Sequence, residues 1–130
     1  ERAQATTGSG MMPMGLVTIR RNGVSHTRAA YGNGPVDAVY NAMLEIVDMD
    51  LEVTDYWVRG ITQGRDAVGE ATVRVRWQNE EATGQAASLD IIEASAQAFL
   101  AAINALLLRA QARNRAAENE DGEHPVEHTP

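Results

Sequence analysis

The chain repeats itself, and that limits what it can fold into. Val17-Thr18-Ile19-Arg20 returns as Val73-Arg74-Val75-Arg76. Both copies alternate apolar and polar side chains, the pattern of a strand with one buried face. Each copy leads through a turn and a further strand to a helix start with an acid in its first turn. These starts are Pro35-Val36-Asp37-Ala38-Val39 and Ser88-Leu89-Asp90-Ile91-Ile92. The pattern predicts an α+β fold of duplicated βββα units with internal pseudo-two-fold symmetry, its two helices packed on β-sheet. Residues 51–62 open the second unit. The first unit's opening strand is expected to be short, near Met11-Met12, or absent.

Within the first unit, residues 16–21 and 24–31 form two strands joined by Asn22-Gly23, a pair that tolerates the positive φ a tight hairpin needs. In residues 51–62, Leu51 and Val53 share one face while Tyr56 and Val58 lie in the opposite phase, so a bulge near Thr54-Asp55 is expected. Residues 63–69 read as a loop, 70–78 and 81–87 as strands, and 89–109 as a helix with a broad apolar stripe. Ser88 is placed to cap that helix.

The richest local signal is Gly32-Asn33-Gly34-Pro35-Val36-Asp37-Ala38. Pro35 suits the first helical position, where its missing N–H costs nothing. Asp37 meets the positive end of the helix dipole. Such a start offers free backbone N–H groups to a carboxylate or phosphate. Gly32, Asn33, Gly34, Pro35, Val36, Asp37 and Ala38, with Ser88, Leu89, Asp90, Ile91 and Ala94 from the second copy, are the candidate ligand-binding residues. Asp37 and Asp90 serve either as ligand groups or only as helix-start acids. No catalytic and no metal-binding residues are proposed. His26 stands alone on its strand, and His124 and His128 read as solvated.

Eleven Lys and Arg against eighteen Asp and Glu give a net charge of −7, which argues against nucleic acid as a partner. Arg20, Arg28, Arg74 and Arg76 read as the solvated face of a sheet or as subunit contacts. No apolar run reaches the length of a membrane span. The chain has no cysteine, which suits a cytoplasmic location. Residues 1–14 read as linker, 15–109 as the folded domain and 110–130 as a disordered acidic tail. A start at Glu1 without methionine suggests a piece of a longer protein.

Gly32-x-Gly34-Pro35-Val36-Asp37-Ala38, followed by Ser88-x-Asp90-Ile91-Ile92-x-Ala94-Ser95 and Ala101-Ala102-Ile103-Asn104, resembles the C-terminal regulatory domain of 2-isopropylmalate synthases. Citramalate synthases carry a related domain. The resemblance covers roughly residues 15 to 108. It implies a homodimeric allosteric domain that binds L-leucine for feedback inhibition. It also implies an absent catalytic TIM barrel, with a divalent metal, that condenses acetyl-CoA with 2-oxoisovalerate. No cofactor is expected in this domain itself. Gln85-Ala86-Ala87-Ser88 departs from a more glycine-rich turn, which bears on the second half of the pocket. The alternatives are an isoleucine-sensing citramalate synthase domain and a dimerisation module with no ligand.

Overall fold

The computed structural model describes residues 2–6, 11–63 and 66–127. In chain order the elements are β1 (Arg2–Thr6), β2 (Met14–Arg21), β3 (Val24–Tyr31), α1 (Pro35–Val47), β4 (Glu52–Gln63), β5 (Asp66–Trp77), β6 (Glu80–Ser88) and α2 (Ile91–Glu127). They form two antiparallel three-stranded sheets, ordered β1-β2-β3 and β4-β5-β6. This is the duplicated βββα arrangement, with one helix packed on each sheet.

The duplication has a constant spacing from β2 to the end of α1. Val17 and Val73, Asn22 and Gln78, Gly34 and Asp90, and Met43 and Phe99 each stand 56 positions apart. Both hairpins turn through two residues of positive φ, Asn22 and Gly23 in the first and Gln78 and Asn79 in the second. The buried positions of α1 (Ala38, Val39, Tyr40, Ala42, Met43, Ile46) reappear as Ala94, Ser95, Ala96, Ala98, Phe99 and Ala102 in α2. Val17 and Ile19 answer to Val73 and Val75 on the inner faces of the sheets. One continuous core results, with Phe99, Met43, Ile103 and Leu106 as its largest fully buried side chains. Gly32 lets α1 approach: a Cβ there would lie 2.4 Å from the Ala38 backbone nitrogen.

The helices run side by side in the same direction. Tyr40 near the start of α1 meets Phe99, with ring centroids 4.4 Å apart. Val47 at its end shares a cavity lining with Ile103 and Leu107.

Several expectations are corrected. The first unit's opening strand is β1, not Met11-Met12. It lies within the stretch read as linker, and it pairs with β2 so that Ala3 stands opposite Val17. Residues 7–10 of that linker lie outside the described residues. β5 begins at Asp66, inside the expected loop, of which Gly64 and Arg65 are not described; ladder pairing carries the strands nearly to the turn. The expected bulge is present, as a register shift between Val53 and Asp55.

The last helix continues to Glu127, through most of the stretch read as a tail; its final residues, 128–130, with His128, lie outside the described ones. Its Ala, Arg, Gln and Glu residues are strong helix formers, and extending an existing helix costs far less than starting one. In length and composition Ile91–Asn119 passes for a membrane span, against the reading that no stretch does. Its apolar residues Ala94, Ala98, Phe99, Ala102 and Leu106 are instead core.

Candidate functional site

Register explains why the two units differ at their opening strands. Ala3 of β1 stands opposite Val17, and Tyr56 of β4 stands opposite the equivalent Val73. A methyl group thus faces the helices in the first unit and a phenol ring in the second. β1 lies close against both helices, whereas the backbone of β4 stands off from both. The Tyr56 ring fills part of the gap, edge-on to Tyr40 with centroids 5.8 Å apart. The rest is an open groove of about 530 Å³ between α1 and β4.

Val36, Leu44, Leu51 and Val53 supply the apolar walls of this groove. Asp37, Tyr40, Asn41, Glu52 and Tyr56 supply the polar groups. Tyr56 and Ser95 share a hydrogen bond of 2.9 Å, and the Tyr40 hydroxyl donates to the Ser95 carbonyl at 3.4 Å. Burial pushes the Tyr40 phenol well above its ordinary pKa, with the neighbouring Tyr56 adding to the rise and the Ser95 hydrogen bond opposing it. Asn41 Nδ2 donates to the Tyr31 carbonyl at 2.9 Å, fixing its amide at the end of β3. A wall of branched apolar side chains under two carboxylates and a helix start can hold a small zwitterion with an aliphatic tail.

Of the residues expected from sequence, Val36 and Asp37 line the groove. Asp37 also accepts the Asn33 backbone N–H at 2.8 Å, so it secures the helix start as well. Gly34 is the N-cap, and its carbonyl accepts from Ala38 N–H at 2.9 Å. Pro35 occupies the first helical position. The Gly32 N–H donates to the Pro13 carbonyl at 3.1 Å. Ala38 and Ala94 are wholly buried in helix–sheet packing.

In the second unit Asp90, not Ser88, caps α2. Its carboxylate accepts Ile92 N–H at 2.9 Å, while the Ser88 hydroxyl accepts Asp90 N–H at 3.2 Å. Ile91 packs over Gly69, and Leu89 is exposed. The pairing of Asp37 with Asp90 is therefore out of step by three positions. The equivalent of Asp37 is Glu93, and the equivalent of Asp90 is Gly34. Sequence reasoning missed Tyr40, Asn41 and Leu44, one and two turns beyond Asp37, and the whole β4 wall. Helical spacing from Val36 and Asp37 through Tyr40, Asn41 and Leu44 was the available signal. Among the described residues no three His, Cys, Asp or Glu side chains gather to hold a metal.

Residues 1–107 match the family described as the LeuA allosteric (dimerisation) domain. The chain belongs to that family. Over 119 residues it is 40% identical to a 2-isopropylmalate synthase of a Nostoc species, a match covering 91% of this chain and 22% of the relative. A 2-isopropylmalate synthase of Trichodesmium erythraeum is 44% identical over 107 residues, 82% of this chain and 20% of the relative. One from a Synechocystis species is 42% identical over 126 residues, 96% of this chain and 22% of the relative. The chain thus spans about a fifth of the length of the curated relatives it matches. The LeuA-domain family holds the resemblance drawn from the glycine turn and the Ser88–Ser95 motif.

Proposed function

We propose that this chain is the regulatory domain of a 2-isopropylmalate synthase and binds L-leucine in the groove between α1 and β4. The observation that carries the reading is the groove itself, an apolar cleft with Asp37 and Glu52 on its lining. The leucine ammonium sits against these two carboxylates. Its carboxylate meets the backbone N–H groups of Val36 and Asp37, which lack partners within the helix at this first turn. Its isobutyl group lies on Val36, Leu44, Leu51 and Val53.

Two copies form a homodimer, as the family description suggests for its members, and the protein works in the cytoplasm. The ligand shifts the domain arrangement that it binds better, and so inhibits a catalytic barrel elsewhere in the parent protein. That barrel, with its divalent metal, condenses acetyl-CoA with 2-oxoisovalerate. The relatives' shared name favours leucine over the isoleucine expected of a citramalate synthase domain.

Calorimetric titration with leucine, isoleucine and valine tests this. Leucine is expected to bind saturably and at least about tenfold more tightly than the other two, a margin of shape worth about 1–3 kcal/mol. Glu52→Gln is expected to weaken it. A folded dimer that binds none of the three would leave a dimerisation module as the better account.

A further inference from the structure

The 56-residue repeat supplies an internal control for a second opening, one turn of α1 beyond the groove, where the ends of β2 and α1 meet α2. It is a cavity of about 190 Å³ with Ile19, Val47, Ile103 and Leu107 among its apolar walls. Arg20, Arg21 and Asn104 are the polar residues of its lining, and among the described residues no acidic one lines it.

The equivalent corner of the second unit is built differently, and two of the differences bear on charge and filling. Where the first unit has Arg21, the second has Trp77, which packs against the core. Where Arg20 faces Ser25 across the hairpin, its equivalent Arg76 faces Glu81. Arg76 and Glu81 form an ion pair at 2.8 Å. Serine provides no such charge, and among the described residues neither Arg20 nor Arg21 pairs with a carboxylate. The first unit thus has neither the aromatic ring nor the acid at these positions.

What remains is an apolar hole beside two guanidinium groups with no carboxylate partner among the described residues, in a chain of net charge −7. Arg21 shares the strand face of Ile19, so its stem starts on the cavity side; Arg20 comes from the opposite face at the rim. Arginine binds carboxylates with charge-assisted, often paired, hydrogen bonds. The space equals roughly six waters at about 30 Å³ each, enough for a short branched acyl chain.

We propose that this cavity is a second ligand site, distinct from the groove, that takes a small aliphatic monocarboxylate with its charge on Arg21 and Arg20 and its tail among Ile19, Val47, Ile103 and Leu107. The amino group that the groove recognises is not required here.

The test is an NMR titration of the 130-residue chain with 4-methylpentanoate and, separately, with the neutral 4-methylpentan-1-ol. Saturable shifts at the Ile19, Val47 and Ile103 methyl groups are expected with the acid. The alcohol should bind about tenfold more weakly or worse, because it forgoes the charged hydrogen bonds. Arg21→Met keeps the stem and should erase that preference. Arg21→Trp copies the second unit, and should fill the cavity, abolish the shifts and raise the Tm. The proposal is overturned if the acid produces no shifts at these methyls, if acid and alcohol bind alike, or if the shifts appear at Leu44 and Val53 instead. Unchanged binding in Arg21→Met, confirmed folded by its spectrum, overturns it as well. A failure of leucine to bind the groove would leave this result untouched.

Discussion

The Tyr56 hydroxyl lies 2.9 Å from the Ser95 Oγ, joining the β4 wall of the groove to the second turn of α2, the helix of its own unit. Ser95 is wholly buried, one of few polar side chains in the core. Ser95→Ala strands the Tyr56 phenol and is expected to cost about 1–2 kcal/mol, and Tyr56→Phe about 1 kcal/mol. The double variant should lose less than the two single losses combined, since both remove the same bond. Urea denaturation of the four proteins measures the coupling. Full additivity would show that the hydroxyls contribute independently.

Close approach of α2 to β6 rests on one missing side chain. A Cβ on Gly84 would stand 1.9 Å from the Ala98 carbonyl oxygen and 2.5 Å from the Ala102 nitrogen. Both are backbone atoms, so relief requires moving the helix. Gly84→Ala is expected to cost about 3 kcal/mol or more, at the upper end of overpacking. Gly34→Ser is the matched control. Its extended φ of −148° suits any residue, nothing lies within 4 Å of its Cβ, and serine is a good N-cap. Its Tm should hold or rise.

The raised pKa of Tyr40 gives a pH dependence with a definite sign. An unfolded tyrosine ionises near pH 10. In the fold, burial keeps this phenol protonated to higher pH. Its stabilising contribution is therefore intact below about pH 10 and is lost as pH rises beyond that, toward the folded-state pKa. Tyr40→Phe removes the ionisation. Stability measured between pH 8 and about pH 11 should fall less steeply in the variant than in the parent. Parallel curves would assign alkaline loss to other groups.

Local signals in the sequence were strong where one residue type dictates the backbone. Asn22-Gly23 marked the first hairpin, Pro35 the start of α1, and the change of phase between Val53 and Tyr56 the bulge. The repeat was visible in its strands, but Ser88 and Asp90 are both good capping residues, and choosing between them by type alone shifted the helix pairing by three positions. β1 was missed because alanines alternating with polar residues carry little apolar contrast. The groove was half legible. Its α1 wall follows from helical spacing, whereas its β4 wall depends on which residue stands opposite Val73, and only the register reveals that Tyr56 replaces an alanine.

The end of α2 offers a contrast between helix content and stability. The family match stops at residue 107. Beyond it, Arg109 donates to the Glu81 carbonyl and Arg113 pairs with Glu80 at 3.2 Å, both on the β5–β6 hairpin. Residues 111–119 are exposed. An exposed pair such as Arg113–Glu80 contributes at most about 1 kcal/mol. Removing residues 116–130 keeps both contacts, and residues 116–119 of the deleted stretch are exposed. Circular dichroism should lose helical signal while the Tm stays within about 2 °C of the parent, since a larger shift would need about 0.5 kcal/mol or more in a domain this size. A fall of about 5 °C or more would mean that these turns pack against a second copy of the chain.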